Sequence, residues 1–460
     1  MPLLRGPALR DPLNTTAMPR IAVEKEKREL TTDPFHLGWF QNNTYGVHGW
    51  NVPWGGNTAR DWANPQLQID LAQAVDRACF DFLLMEDSAF VPDNYGASMD
   101  FYLKRAMRAP KNDPLPLVPL LHQATKNVGI VPTISTSFYP PFLLARLIAT
   151  LDLMSDGRVG CNFVTSTAAR AAQNFGLKEH IEHDARYRMA DEFVDVVKQL
   201  WDSWDEDAIV ADAENAMFVD PCKVRPIEFE GEFFSSRGPL NTARPPQGHP
   251  VLVQAGGSPQ GRAFASKHMD VILAAVGTVE EMKSFRDDVR ARVASHGRDP
   301  DSCKVLFQFT PIVAETDAQA QEICEARRKA ADPKVMLAGL GSLFDIDFST
   351  IDVEEPLAEM TTNGQQGTFK RFMSMGSNLR EIAENFRFGL DDVHGSPETV
   401  ASKMEEMMQE VGGDGFLVTG NLTRRYLAEI TDGLVPVLQK RGLTRKGYSH
   451  AQFRHNLLEF

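Results

Sequence analysis

The stretch Arg158–Tyr187, RVGCNFVTSTAARAAQNFGLKEHIEHDARY, combines a buried strand with a polar cluster suited to holding a ligand. Val159 to Val164 is a short apolar run entered from the turn Asp156-Gly157. Where that run ends, Asn162, Thr165 and Ser166 supply amide and hydroxyl hydrogen-bonding groups. Polar groups at the carboxyl ends of strands are where α/β folds bind ligands; ordinary caps for the following helix are the alternative for Thr165 and Ser166.

Working outward, strand-like and helix-like segments alternate. Strands are expected at 35–41, 80–86, 128–136, 158–164, 250–255, 270–276, 304–313 and 415–419. Amphipathic helices are expected at 65–79, 113–126, 141–154, 184–204, 258–268, 278–296, 316–331, 396–411 and 423–441. Eight parallel strands apolar on both faces, with helices between them, is the count of a TIM (β/α)8 barrel; a doubly wound sheet is the alternative from alternation alone. The expected organisation is an N-terminal extension over 1–34, one barrel domain over 35–445 and a C-terminal tail over 446–460. Two insertions interrupt it. Residues 205–248, rich in Pro and Gly, predict a β-hairpin. Residues 332–395 lack a strong period and follow strand seven, which predicts a lid at the barrel mouth with Gly339, Gly341, Gly364, Gly367 and Gly376 as hinges.

At 43% hydrophobic residues the chain has the material for a large core, and a net charge of -14 argues against nucleic acid or an anionic membrane as partner. Five cysteines without a CxxC pair predict reduced thiols and a cytoplasmic protein, and no zinc site. No apolar stretch has the length of a membrane span.

A second chemical signal is VLVQAGGSPQGRAFA, residues 251–265. A strand runs into Gly256-Gly257, Ser258 is a good N-cap and Pro259 a good first helical residue. Free amides at such a turn make a phosphate cradle, although a plain tight connection has the same pattern. There is no G-x-G-x-x-G for tightly bound NAD(P)H and no G-x-S-x-G for a hydrolase.

Taken together, FLLMEDS around Asp87, PKNDPLPLVPLL at 110–121, residues 133–166, QNFGL at 173–177, EHDARY at 182–187, RGPL at 237–240 and QAGGSPQGR at 254–262 resemble the bacterial luciferase-like flavin monooxygenases. The likeness is to the branch holding nitrilotriacetate monooxygenase component A, dibenzothiophene-sulfone monooxygenase and long-chain alkane monooxygenase. It implies a TIM barrel that takes reduced FMN from a separate NAD(P)H:flavin reductase and uses O2 to oxidise or cleave a small organic compound: a xenobiotic, chelator, organosulfur or heterocyclic molecule. By position it implies FMN contacts at Asp87, Ser137, Asn162, Tyr187, Gly257 and Ser258, and Ala255, Gly256 and His183 are further cofactor-binding candidates. His183 lies one helical turn before Tyr187 on the same face. The loop after strand one, QNNTYGVHGWNVPWGG, offers Tyr45 and His48 as catalytic candidates with His183, though this histidine falls later than in the alkane and sulfone enzymes. Trp50, Trp54, Tyr95, Phe138 and Tyr139 are candidate substrate walls. A homodimer or homotetramer is common in the family. Three other readings stay open: a flavin-degrading enzyme such as a riboflavin lyase, a non-catalytic flavin-binding protein, and a deazaflavin-dependent dehydrogenase.

Overall fold

The computed structural model describes residues 33–51, 58–386, 389–390 and 393–460. All but the last two positions of the expected N-terminal extension lie outside the described residues, as does Trp54.

Eight parallel strands close into a barrel: β1 (His36–Gln41), β2 (Phe82–Met85), β3 (Gly129–Ser135), β4 (Gly160–Val164), β5 (Val251–Gln254), β6 (Val271–Ala274), β7 (Lys304–Phe309) and β8 (Gly415–Val418). Closure is made by β1, which pairs with β2 on one side (Trp39 opposite Leu83) and with β8 on the other (Trp39 opposite Val418). The doubly wound alternative is therefore excluded. Period-two alternation sorts the side chains: Phe82, Leu84, Val131, Val251, Val253, Val271, Leu306 and Leu417 fill the lumen, while Leu83, Met85, Cys161, Phe163, Leu252 and Ile272 pack outward against the helices.

The floor of the barrel is made late in the chain. Residues 446–460, expected as a tail, carry the helix Phe453–Leu457, whose Phe453 and Leu457 enter the lumen cluster. Gly129 and Gly160 leave the room for this ring, since a Cβ on Gly129 would stand 2.6 Å from Phe453. Arg454 holds the plug with a bidentate pair to Asp270 at 2.7 and 2.9 Å.

Both insertions have more structure than their sequence suggests. Residues 205–248 hold two short hairpins, Ile209–Asp212 with Met217–Val219 and Phe229–Glu230 with Ser235–Ser236. Residues 332–395 contain helices Pro333–Phe344, Gln366–Met373 and Leu379–Asn385 around a small core of their own, with Leu337, Leu340, Phe344, Phe369, Phe372 and Ile382 buried. This corrects the aperiodic reading: two of these helices, of 8 and 7 residues, are shorter than the window in which a helical period is distinct, and the third, of 12, only just fills it.

Candidate active site

At the carboxyl ends of the strands a cavity of about 2190 Å³ opens. β4 delivers Asn162 to its base. Cys161 and Phe163 face the helices, so the residue between them faces the lumen. Asn162 is 4% exposed, and its Nδ2 donates to Thr133 Oγ1 on β3 at 2.8 Å. Its Oδ1 is buried without a donor, as is Oε1 of Gln254 at the end of β5. A buried carbonyl left unpaired costs about 1–3 kcal/mol, and two of them lining one cavity mark a place for ligand N–H groups. As the chain leaves β4, Thr165 O accepts from Ser137 Oγ at 2.8 Å, and Ser166, at φ 48°, exchanges a 2.8 Å hydrogen bond with Ser135.

The turn after β5 has the expected form. Ser258 Oγ accepts from Gly261 N at 3.0 Å and caps the helix Pro259–His268, with Pro259 at its first position. Gly257 faces open space, so its backbone is accessible to a ligand. Above the turn stands the Tyr187 hydroxyl, surrounded by the side chains of Ser258, Gln254 and Thr165, its pKa raised by burial. Tyr187 belongs to the helix His183–Trp201, which Glu182 caps by accepting from Asp184 N and Ala185 N at 2.9 and 3.1 Å. His183, 4% exposed, sits edge-on to Tyr187 with ring centres 5.1 Å apart and pairs with Asp184 at 2.7 Å. The insertion reaches this corner: Asn363 Oδ1 accepts from His183 N at 3.1 Å, and Asn363 O accepts from Arg186 at 2.8 Å.

Across the cavity, β2 ends in Glu86 and Asp87. Lys111 Nζ lies 2.7 Å from Glu86 and 3.6 Å from Asp87, and Glu86 also accepts from Asn43 N at 3.0 Å. Burial pushes the Asp87 carboxyl up to about 6 and brings the His48 imidazole down to about 4. His48 is therefore neutral at pH 7, and Asp87 exchanges its proton close to physiological pH.

Residues 48–415 match the family described as luciferase-like monooxygenase. The chain belongs to that family. It is an oxidoreductase that acts with O2. Among its relatives are dibenzothiophene-sulfone monooxygenase of Rhodococcus erythropolis, 34% identical with 87% of this chain and 91% of the relative covered, and nitrilotriacetate monooxygenase component A of Aminobacter aminovorans, 32% identical with 90% and 94% covered. Of solved structures, riboflavin lyase with modified FMN and substrate riboflavin is similar at TM-score 0.86 and 30% identity, with 93% of this chain and 96% of that one covered. Long-chain alkane monooxygenase follows at TM-score 0.83 and 32% identity, with the same coverage.

Within this luciferase-like barrel the residues fit a flavin mononucleotide. Unpaired carbonyls at Asn162 and Gln254 suit ring N–H donors, and the open Gly257-Ser258 turn suits a phosphate. His48, Asp87, Phe138, Tyr139, Asn162, His183, Tyr187 and the run Ala255-Gly256-Gly257-Ser258 all line the one cavity. Other expected residues lie elsewhere. Tyr45 donates its hydroxyl to Ala63 O at 2.9 Å, Trp50 is 42% exposed with its indole N–H on Arg105 O, and Tyr95 packs on Phe101 at 4.6 Å. None of the three is among the cavity's lining residues, and Ser137 supports the wall from behind through Thr165. Thr133, Gln254 and Lys111 were missed. Thr133 was findable only through pairing, since it stands opposite Asn162 in the β3–β4 register. Among the described residues one group has metal-ligating geometry, Asp191, Asp195 and His268. The Lys267 ammonium already lies 2.6 and 3.5 Å from its two carboxylates. No helix among the described residues is long and apolar enough to cross a membrane.

Proposed function

We propose that the chain is the oxygenase of a two-component system, binding reduced FMN delivered by a separate NAD(P)H:flavin reductase and oxidising or cleaving a small organic compound. The observation that carries this reading is the convergence, in one cavity, of the open Gly257-Ser258 turn with the unpaired Asn162 and Gln254 carbonyls. Bound reduced FMN supplies the electrons with which O2 is activated. The chain's own residues do the rest. Ser258, the glycine amides and Tyr187 hold the phosphate, and Asn162 orients the ring edge. Asp87, its carboxyl pushed up to about 6, is mostly ionised at pH 7 and takes up a proton as the pH falls through 6, and neutral His48 offers an imidazole on the same wall. The naming of one relative as a component A supports the two-part arrangement.

A second reading is favoured by one observation. The cavity of about 2190 Å³ exceeds the roughly 300–1,000 Å³ of an ordinary small-molecule pocket, and a structural relative has both a modified FMN and riboflavin bound. A flavin-sized or comparably large heterocyclic substrate therefore fits beside the cofactor. The deciding experiment is product analysis by mass spectrometry with chemically reduced FMN, O2 and a panel of organosulfur, chelator, alkane and flavin substrates. Oxygenated or cleaved product without NADH supports the proposal. Rapid NADH oxidation by the isolated chain with FMN, no reductase present, overturns the two-component assignment.

A further inference from the structure

We propose that Lys111, seated behind the cavity wall, is a positioning residue that divides the two neighbouring carboxyls at the end of β2 into a fixed anchor, Glu86, and a group free to exchange a proton with the cavity, Asp87. This rests on the functional reading above and names the residue that governs its acid–base group.

Lys111 is brought to β2 by the loop after β1. Gly46 in that loop pairs antiparallel with Lys111, and Asn112 N donates to Tyr45 O at 3.1 Å, so the backbone at 111 is fixed. The side chain is 5% exposed, and its ammonium lies 2.7 Å from Glu86, 3.4 Å from Ser88 Oγ and 3.6 Å from Asp87. Glu86, Asp87, Arg108 and Asp113 line the cavity, whereas Lys111 is not among its lining residues. Its influence on the cavity therefore passes through the carboxyls it touches.

Those two carboxyls are served unequally. Glu86 takes the short bond from Lys111 and a second from Asn43 N at 3.0 Å, with Arg108 Nη1 a further 3.6 Å away. Against the cost of burial, Lys111, Arg108 and Asn43 N hold its carboxyl below the ordinary range, so Glu86 stays ionised. Asp87 takes one hydrogen bond, from the adjacent Ser88 N at 2.8 Å, and shares Lys111 only at ion-pair distance. Burial raises its carboxyl, Lys111 and Ser88 N oppose the rise, and Glu86 and Asp113 add to it. Tyr139, pushed up to about 12 by burial, and His48, neutral at pH 7, face the same corner and bring no charge to it. Lys111 and Glu86 thus pull Asp87 in opposite directions. A lysine that merely tied the two loops together would have no such sign.

The test reads Asp87 through its linkage to stability, with no flavin or substrate present. Melting temperatures of the full-length protein are recorded from about pH 4 to about pH 8 for wild type, Lys111→Gln, Lys111→Arg and Glu86→Gln, each with and without Asp87→Asn. In every background the loss of melting temperature relative to the Asp87→Asn partner levels off once pH passes the folded pKa of Asp87, about 6 in wild type. That upper edge should rise by about one unit in Lys111→Gln, fall by about one unit in Glu86→Gln and stay in place in Lys111→Arg. Edges that do not move in the two glutamine variants, or that move in the same direction, overturn the proposal. If Lys111→Gln does not fold, Glu86→Gln decides alone: a fall supports the division and an unmoved or rising edge ends it. Titrating the same proteins with FMN by flavin fluorescence over the same pH range separates this inference from the reading beneath it. Affinity that changes across each protein's own window supports Asp87 as a flavin contact. Affinity flat with pH while the edges move as expected leaves the role of Lys111 intact and removes Asp87 from the flavin site.

Discussion

The floor of the barrel gives a quantitative test of how the lumen is packed. Phe453 is 1% exposed, its ring 5.9 Å from that of Phe82, and it lies where the Cβ of a residue at 129 would need to be, 2.6 Å away. Phe453→Ala removes a fully buried ring and should cost about 3–5 kcal/mol. Gly129→Ala forces a methyl against that ring and should cost about 1–3 kcal/mol by overpacking. In the double variant the new methyl enters the space the ring has left, so the two costs should fall short of additivity by about 1–2 kcal/mol. Urea unfolding followed by tryptophan fluorescence gives the four stabilities at 25 °C. Additive costs, or a Gly129→Ala variant as stable as wild type, would refute the packing described here.

Three further outcomes are expected. Ser258→Asp keeps a good helix N-cap but sets a carboxylate against the phosphate, so the melting temperature should hold while FMN affinity falls at least about tenfold; unchanged affinity removes Ser258 from the site. Asp87 has a folded pKa of about 6, above its ordinary value, so its protonated form favours the fold: the contribution is complete below about pH 4 and lost as pH rises through 6. Wild type should accordingly lose melting temperature relative to Asp87→Asn across that window, by a modest amount because the side chain is 32% exposed, and a flat difference contradicts the burial assigned to it. Replacing residues 332–395 with a short Gly-Ser linker should weaken FMN binding and raise hydrogen peroxide released per product, measured with a peroxidase-coupled assay; unchanged coupling ends the lid expectation.

The strands were legible because a parallel barrel buries them on both faces, leaving runs such as VLVQ and VILA that differ sharply from the charged helices between them. Ends were less so. The run 304–313 breaks at Phe309, since Pro311 has no N–H for the ladder, and Ile312–Val313 pairs instead with His394–Gly395. Prolines 114 and 116 likewise delay the helix expected from 113 until Leu117. In the site, sequence-local signals were readable: Gly-Gly-Ser-Pro before a helix, and an amide in a strand. Contacts between distant segments were not. Asn363 meets Arg186 across 177 positions, and nothing in either neighbourhood announces the other. The loop aromatics misled for a related reason: composition places Tyr45 and Trp50 at a rim but gives no direction to their rings.

The attachment of Asn363 to both His183 and Arg186 has a bearing on how this enzyme could be re-engineered. The insertion, several of whose residues line the cavity, is tied by its middle to the helix that carries Tyr187. Exchanging the whole insertion with that of a relative would thus transplant a cofactor-side joint along with the new wall, and a chimera could fail at the joint although its wall is sound. Libraries that diversify the wall while keeping 363–368 fixed would separate the two. Altered substrate scope could then be selected without first having to recover flavin affinity.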